Sequence, residues 1–299
     1  MKRMNEVLKK IAEGRVLVSD GAWGTYLHQK GLKVGECPEL WNVKRPDDVL
    51  DIAHSYVEAG ADIILTNSFG GSPLKLDGYG LSERTYELNR RAAEISKQAA
   101  EDHALVMGSI GPTGKMIMMG EEPPQEVLKG FMDQARGLAD GGVDGIVIET
   151  MSDPEEARLA IEAVKKVSGI DVACTFTFSK NQDGVYRTMM GTDVASYLEM
   201  AIEAGADIIG ANCGNGTAGM IEIVREIRTL NQDIPILVHA NAGLPVYQDG
   251  QTIFPESADE MASQIGELVA AGANIVGGCC GTTPEHIRQI VEAVSNLNR

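Results

Sequence analysis

The 299-residue chain is poor in positive charge, in aromatic side chains and in cysteine, and it has no long apolar run. Its 26 Lys and Arg face 43 Asp and Glu, a formal net charge of -17. That balance repels polyanions, and the basic patch that phosphate contacts need is missing, so a nucleic-acid partner is excluded. No stretch approaches the roughly 18 apolar residues of a membrane span, so no membrane partner is expected. Met1 to Gly14 is charged throughout and reads as a short amphipathic helix, not a signal peptide. Aromatics make up only 5% of the chain, so the core must be built from Ala, Ile, Val, Leu and Met. Such a core suits helices packed on buried parallel strands better than a sandwich. The five cysteines are odd in number, and Cys279 and Cys280 are neighbours, so no disulfide framework is expected. A reducing cytoplasm is the expected setting.

What the chain does have is a repeated phrase. Glu58 to Asn67, Asp140 to Thr150, Glu203 to Cys213 and Ala270 to Cys280 each carry a helical run ended by a glycine, then a short strand rich in Ile or Val. Gly60, Gly142, Gly205 and Gly272 mark the helix ends, spaced widely enough for two βα units per interval. Intervening strands are expected at Ala104–Ser109, Asp171–Thr177 and Ile234–His239, with a first at Arg15–Asp20. Helix starts at Pro46, Pro124, Asp153-Pro154 and Thr283-Pro284 combine capping side chains, early prolines and first-turn acids. Eight βα units in one composition regime predict a single (β/α)8 TIM barrel over residues 1–299, which needs about 250 residues. The alternative, a doubly wound open sheet, lacks a GxGxxG after its first strand.

In a barrel the chemistry belongs at the carboxyl ends of the strands. Those ends are Asp20, Asn67, Glu149, Asn212-Cys213, His239-Ala240-Asn241 and Cys279-Cys280. A single buried cysteine is ordinarily inert core. Three at one rim, two of them adjacent among glycines, point instead to a metal. Zinc favours sulfur ligands in a tetrahedron, and three protein ligands leave one position open. A soft incoming thiol suits that position, and zinc lowers its pKa. Activation of water is less natural, because such sites more often use His and carboxylate ligands.

With these residues in view, the chain resembles the zinc-dependent homocysteine S-methyltransferase family, most of all its homocysteine-binding domain in cobalamin-dependent methionine synthase. The resemblance runs from about Arg15 onward. It rests on SDGAWGTYL (Ser19–Leu27), TNSFGGSPLKL (Thr66–Leu76), GSIGPTGK (Gly108–Lys115), IETMSD (Ile148–Asp153), GANCG (Gly210–Gly214), HANAGLP (His239–Pro245) and GGCCGTTPEHI (Gly277–Ile287). The last phrase, with Asn-Cys-Gly well upstream, is highly specific. The resemblance implies a methyltransferase forming methionine, with Zn2+ on Cys213, Cys279 and Cys280. It also implies that homocysteine's amino group meets Glu149 and its carboxylate meets backbone amides of Gly21-Ala22-Trp23. Asp20 either orders that loop or joins the amino-group pocket. Asn241 either lends zinc an oxygen when substrate is absent or stabilises its loop. Asn67 and Thr66 either contact substrate or brace the rim.

Cys37, Cys174 and His239 are assigned to structure. The methionines Met116, Met118 and Met119 either form a docking rim or pack within their loop. The expected methyl donor is a methylated corrinoid protein acting in trans, since this barrel alone accounts for the residues present. S-methylmethionine, S-adenosylmethionine and betaine are the alternatives. A non-catalytic zinc- or thiol-binding barrel is a reading of a different class. A homo-oligomer is a further expectation.

Overall fold

The computed structural model describes residues 6–248 and 251–298. The expected helix at the start is present as Glu6–Ala12, and Met1–Asn5 lie outside the described residues. Eight parallel strands follow: β1 (Leu17–Val18), β2 (Ile63–Leu65), β3 (Leu105–Ile110), β4 (Gly145–Met151), β5 (Asp171–Phe176), β6 (Ile208–Asn212), β7 (Ile236–Ala240) and β8 (Ile275–Gly278). Each is followed by a helix: α1 (Pro46–Glu58), α2 (Thr85–Ala100), α3 (Pro124–Asp140), α4 (Pro154–Val167), α5 (Val194–Glu203), α6 (Thr217–Leu230), α7 (Ala258–Ala271) and α8 (Pro284–Leu297). The sheet order is β1-β8-β7-β6-β5-β4-β3-β2. A parallel bridge between Ser19 and Ile63 joins its two ends, with Asp20 N–H donating to Ile63 O at 2.9 Å. The sheet is therefore closed, and the open-sheet alternative is excluded.

The repeated phrase works as expected at its glycine. Gly60, Gly142, Gly205 and Gly272 all have φ between 92° and 120°, a region that side-chain-bearing residues rarely enter. The residue two places on does something that periodicity alone does not show. Asp62 accepts from Val18 N at 3.0 Å, Asp144 from Val106 N at 2.8 Å, Asp207 from Val172 N at 2.8 Å and Asn274 from Ile236 N at 2.9 Å. Each even strand thus clamps the start of the odd strand before it. A cationic side chain completes every clamp: Arg15, Lys97, Lys165 and Arg228.

Inside the barrel the strands alternate as a pleat requires. Leu17, Ile63, Leu65, Met107, Val147, Ala173, Ile208, Leu237 and Ile275 fill the lower layers, and Val7 of the first helix joins the same cluster. Each such fully buried aliphatic contributes about 1.5–3 kcal/mol. Two residues further along, the inward positions become Ser19, Ser109, Glu149, Thr175 and His239. The barrel is oily below and polar at its mouth. Two short antiparallel hairpins were not foreseen: Ser179–Lys180 with Tyr186–Arg187, and Val246–Gln248 with Gln251–Ile253. They sit in the loops after β5 and β7, where two- and three-residue strands carry too little periodicity to read.

Candidate functional site

The mouth holds a cavity of about 270 Å³. Its walls include Gly21, Ala22, Trp23, Asn67, Ser109, Glu149, Cys213, His239, Cys279 and Cys280. Residues from seven of the eight strand ends or their loops thus converge on one small space.

The three cysteine sulfurs lie within 4.8 Å of one another, and Cys213 Sγ is 4.0 Å from Cys280 Sγ. Cys279 continues the inward parity of Ile275 and Gly277. Cys213 follows the inward Asn212 and by simple alternation would face the helices. A left-handed backbone at Cys213, φ 59°, turns it out of the strand path. For a residue with a Cβ this conformation costs on the order of 1–3 kcal/mol, and such strain is characteristic of functional sites. The sulfurs share charge unequally. S–H groups of Cys279 and Cys280 stabilise the Cys213 thiolate, pulling its pKa down to about 3, while the same interactions push Cys280 up to about 12 and Cys279 upward as well. Ionising all three sulfurs in this space would need a cation among them. The Asn241 side chain helps hold Cys213 as a thiolate, and its Oδ1 is buried without a partner among the described residues. A soft divalent metal fits this donor set.

Glu149 is the second charged feature. Burial raises its pKa to about 7, offset by a hydrogen bond from Ser109 Oγ and reinforced by Asp20 and Cys213. Asn212 Nδ2 approaches its other oxygen at 3.4 Å. The same amide donates to Thr150 Oγ1 at 2.7 Å and lies 4.0 Å from Cys279 Sγ. A carboxylate shut away from water and oriented by neutral donors is a seat for a cation.

The strand 1 loop is held from behind. Asp20 is buried and accepts from Trp23 Nε1 at 2.8 Å and from Leu65 N at 2.7 Å. Desolvation raises its pKa to about 7. This is the loop-ordering arrangement; Asp20 is not among the cavity walls. Ala22 N–H donates to Thr282 Oγ1 at 3.1 Å. Gly278 is required beneath that hydroxyl, since a Cβ there would sit 2.2 Å from it. Asn67 borders the cavity, yet its Nδ2 donates to Pro38 O and Asn42 Oδ1, and Thr66 is bonded to Ser68 and to Ser109 N. Both brace the rim.

Cys174 lies fully buried in β5, and Cys37 is buried with its thiol donating to Glu39 Oε2 at 3.3 Å. Neither joins the three-sulfur cluster. His239 is buried, held neutral with its pKa lowered to about 4, and borders the cavity. Ser109, Asn212 and Thr282 are partners that sequence reading left without a role. Ser109 and Asn212 stand at strand ends, so the strand-end rule alone marks them out; Thr282 lies in a loop with no such signal.

A family model described as homocysteine S-methyltransferase matches residues 17–294. The methionine synthases of Mycobacterium leprae and Mycobacterium tuberculosis are each 32% identical over 98% of this chain. The chain spans only 25% and 26% of their lengths. The crystal structure of the homocysteine methyltransferase MmuM from Escherichia coli, in its metallated form, superposes with a TM-score of 0.78 at 21% identity, covering 95% of this chain and 99% of that one. That likeness shows the shared fold, and the match of the family model to nearly the whole barrel shows that the chain belongs to the homocysteine S-methyltransferase family.

Proposed function

We propose that the cavity receives homocysteine and that the chain promotes methylation of its sulfur to give methionine, with zinc held by Cys213, Cys279 and Cys280. One observation carries this reading. Three convergent sulfurs and a buried carboxylate border the same small cavity, and a thiol-bearing amino acid has a group for each. Bound zinc would lower the substrate thiol's pKa and make a thiolate available near neutral pH.

The chain's own residues then bind and orient. Glu149 accepts the substrate ammonium, with Ser109 and Asn212 fixing the carboxylate's direction. The substrate carboxylate faces the N–H groups of the Gly21-Ala22-Trp23 loop. Ala22 already donates to Thr282, so its neighbours carry that recognition or the bond is exchanged. Asn241 Oδ1 is the oxygen available to the metal before substrate arrives. With sulfur and the amino-acid end both held, the remaining freedom is the approach of the methyl carbon, which the walls restrict to the mouth.

The donor we propose is a methylated corrinoid protein supplied in trans or from elsewhere in a longer polypeptide. Two findings support it. The mycobacterial relatives are methionine synthases that extend well beyond the matched region. The loops that follow β3, β5 and β7 also carry exposed apolar side chains, including Met118, Met119, Met189, Leu244 and Tyr247.

The test is methionine formation by zinc-loaded protein from homocysteine and a donor panel: a methylcobalamin-carrying protein, free methylcobalamin, S-methylmethionine, S-adenosylmethionine and betaine. Turnover should require zinc, fall on chelation and return on readdition. Cys279→Ala should lose stoichiometric zinc together with turnover; retention of both would overturn the metal assignment. Zinc loading with no methionine from any donor would leave a thiol-binding barrel without catalysis.

A further inference from the structure

We propose that His239 determines specificity for the substrate's amino group, its imidazole accepting one N–H of the ammonium while Glu149 takes another. The inference rests on the reading of homocysteine as the cavity's ligand, and it assigns a role to a ring that the sequence places in the structural background.

The polar layer at the barrel mouth is almost fully paired. Ser19 donates to Asp20, Ser109 to Glu149, and Thr175 to Asn212 Oδ1, while Asn212 Nδ2 reaches Glu149 and Thr150. His239 is the exception. Its Nε2 is buried and, among the described residues, has no hydrogen-bond partner, although the ring borders the cavity. Leaving such a group unpaired is unfavourable, so a ligand that pairs it gains affinity.

The space around the ring is also built. His239 lies opposite Gly277 in the β7–β8 register, and a Cβ on that glycine would stand 3.0 Å from His239 Cδ2. Glycine at 277 therefore admits the imidazole to the barrel interior. On its other side His239 pairs in register with Asn212, whose amide reaches Glu149. Carboxylate and imidazole border one cavity, linked through Asn212 on β6, with β5 and β6 between their own strands.

The chemistry selects an ammonium over the other ends of an amino-acid thiol. The sulfur is drawn to the cysteine cluster and the carboxylate to main-chain N–H groups. An ammonium offers three donors and is poorly served by one carboxylate that already accepts from Ser109 and Asn212. A neutral imidazole adds an acceptor without adding negative charge beside three sulfurs.

The experiment measures dissociation constants of the zinc-loaded full chain by calorimetry. The ligands are homocysteine and its desamino analogue, 4-sulfanylbutanoate. Wild-type protein should prefer homocysteine. His239→Phe, which keeps an aromatic ring and removes the acceptor, should weaken homocysteine about tenfold and leave the analogue within about twofold. His239→Gln, which retains an acceptor, should keep most of the preference. Equal effects on both ligands, or none on either, would overturn the proposal. Wild-type protein binding neither thiol would instead overturn the homocysteine reading. Should His239→Phe fail to fold, nitrogen-15 NMR of histidine-labelled wild type decides. The His239 ring signal, assigned by its loss in His239→Gln, should shift with homocysteine and stay in place with the analogue; no shift with homocysteine overturns the proposal.

Discussion

Asp20 shows how one side chain can tie site geometry to pH. Its carboxyl is fully buried, and its pKa rises from 3.8 to about 7, chiefly through desolvation. Below about pH 4 the folded and unfolded chains both hold this proton. Between there and pH 7 the unfolded chain releases it while the folded one does not. Folding stability therefore falls as pH rises across that window, and the contribution levels off above it. Across the whole window the loss is on the order of a few kcal/mol. Asp20→Asn preserves an oxygen for Trp23 and Leu65 and removes the titration. Urea midpoints at pH 5 and pH 8 should differ less in that variant than in wild type. An unchanged pH slope would mean that the buried carboxyl is ionised throughout. The residues that converge on the cavity were largely legible at this scale: cysteine is scarce, and three of the five copies fall at strand ends. The backbone turn that brings Cys213 to its partners was not legible, because φ at a non-glycine residue leaves no mark in composition.

Among the elements, the helix-glycine-strand phrase foretold four strands, and the apolar runs between and before its copies foretold the other four, with ends displaced by a residue or two. β2 stops at Leu65 rather than Asn67, and β7 runs on to Ala240. The acidic position inside the phrase was visible as a repeat, but its purpose depends on a partner strand some forty residues away, which no local pattern reports. Asp144 illustrates the purpose. It accepts from Val106 N and from Lys97 Nζ, both at 2.8 Å, on the face opposite the cavity. Asp144→Ala leaves the Val106 amide unpaired and should cost about 1–3 kcal/mol of stability. Zinc content should stay at the wild-type level, since the change lies at the far end of β3 and β4. Chemical denaturation alongside metal analysis checks both parts. Loss of metal without loss of stability would place Asp144 in the site's support instead.

At the scale of the whole molecule, the negative charge and the exposed apolar side chains favour different kinds of contact. A net charge of -17 keeps polyanions away, while Met119, Met189 and Tyr247, each more than 70% exposed, stand in the loops that follow β3, β5 and β7. Exposed apolar side chains grouped at one end of a fold are candidates for an interaction site. If the donor is borne by a protein, Met119→Asp with Tyr247→Asp should raise the concentration of that protein needed for half-maximal turnover, by about tenfold or more. Turnover with free methylcobalamin should be unaffected. An equal loss with both donors would assign these side chains to loop packing.

The four clamps fall between β1 and β2, β3 and β4, β5 and β6, and β7 and β8, so none spans the midpoint of the barrel. The loop Gly21 to Trp23, Ser109 and Glu149 all precede that midpoint, whereas Cys213, Asn241, Cys279 and Cys280 all follow it. On the proposed reading, the first half-barrel supplies Glu149 and the main-chain N–H groups and the second supplies the sulfurs, with Asn212 and His239 of the second half reaching toward the amino-acid end. The sulfur cluster could therefore be inherited intact while a new thiol acceptor arose by changes in the first half, so long as the bonds of Asn212 to Glu149 and Thr150 across the midpoint were kept or replaced.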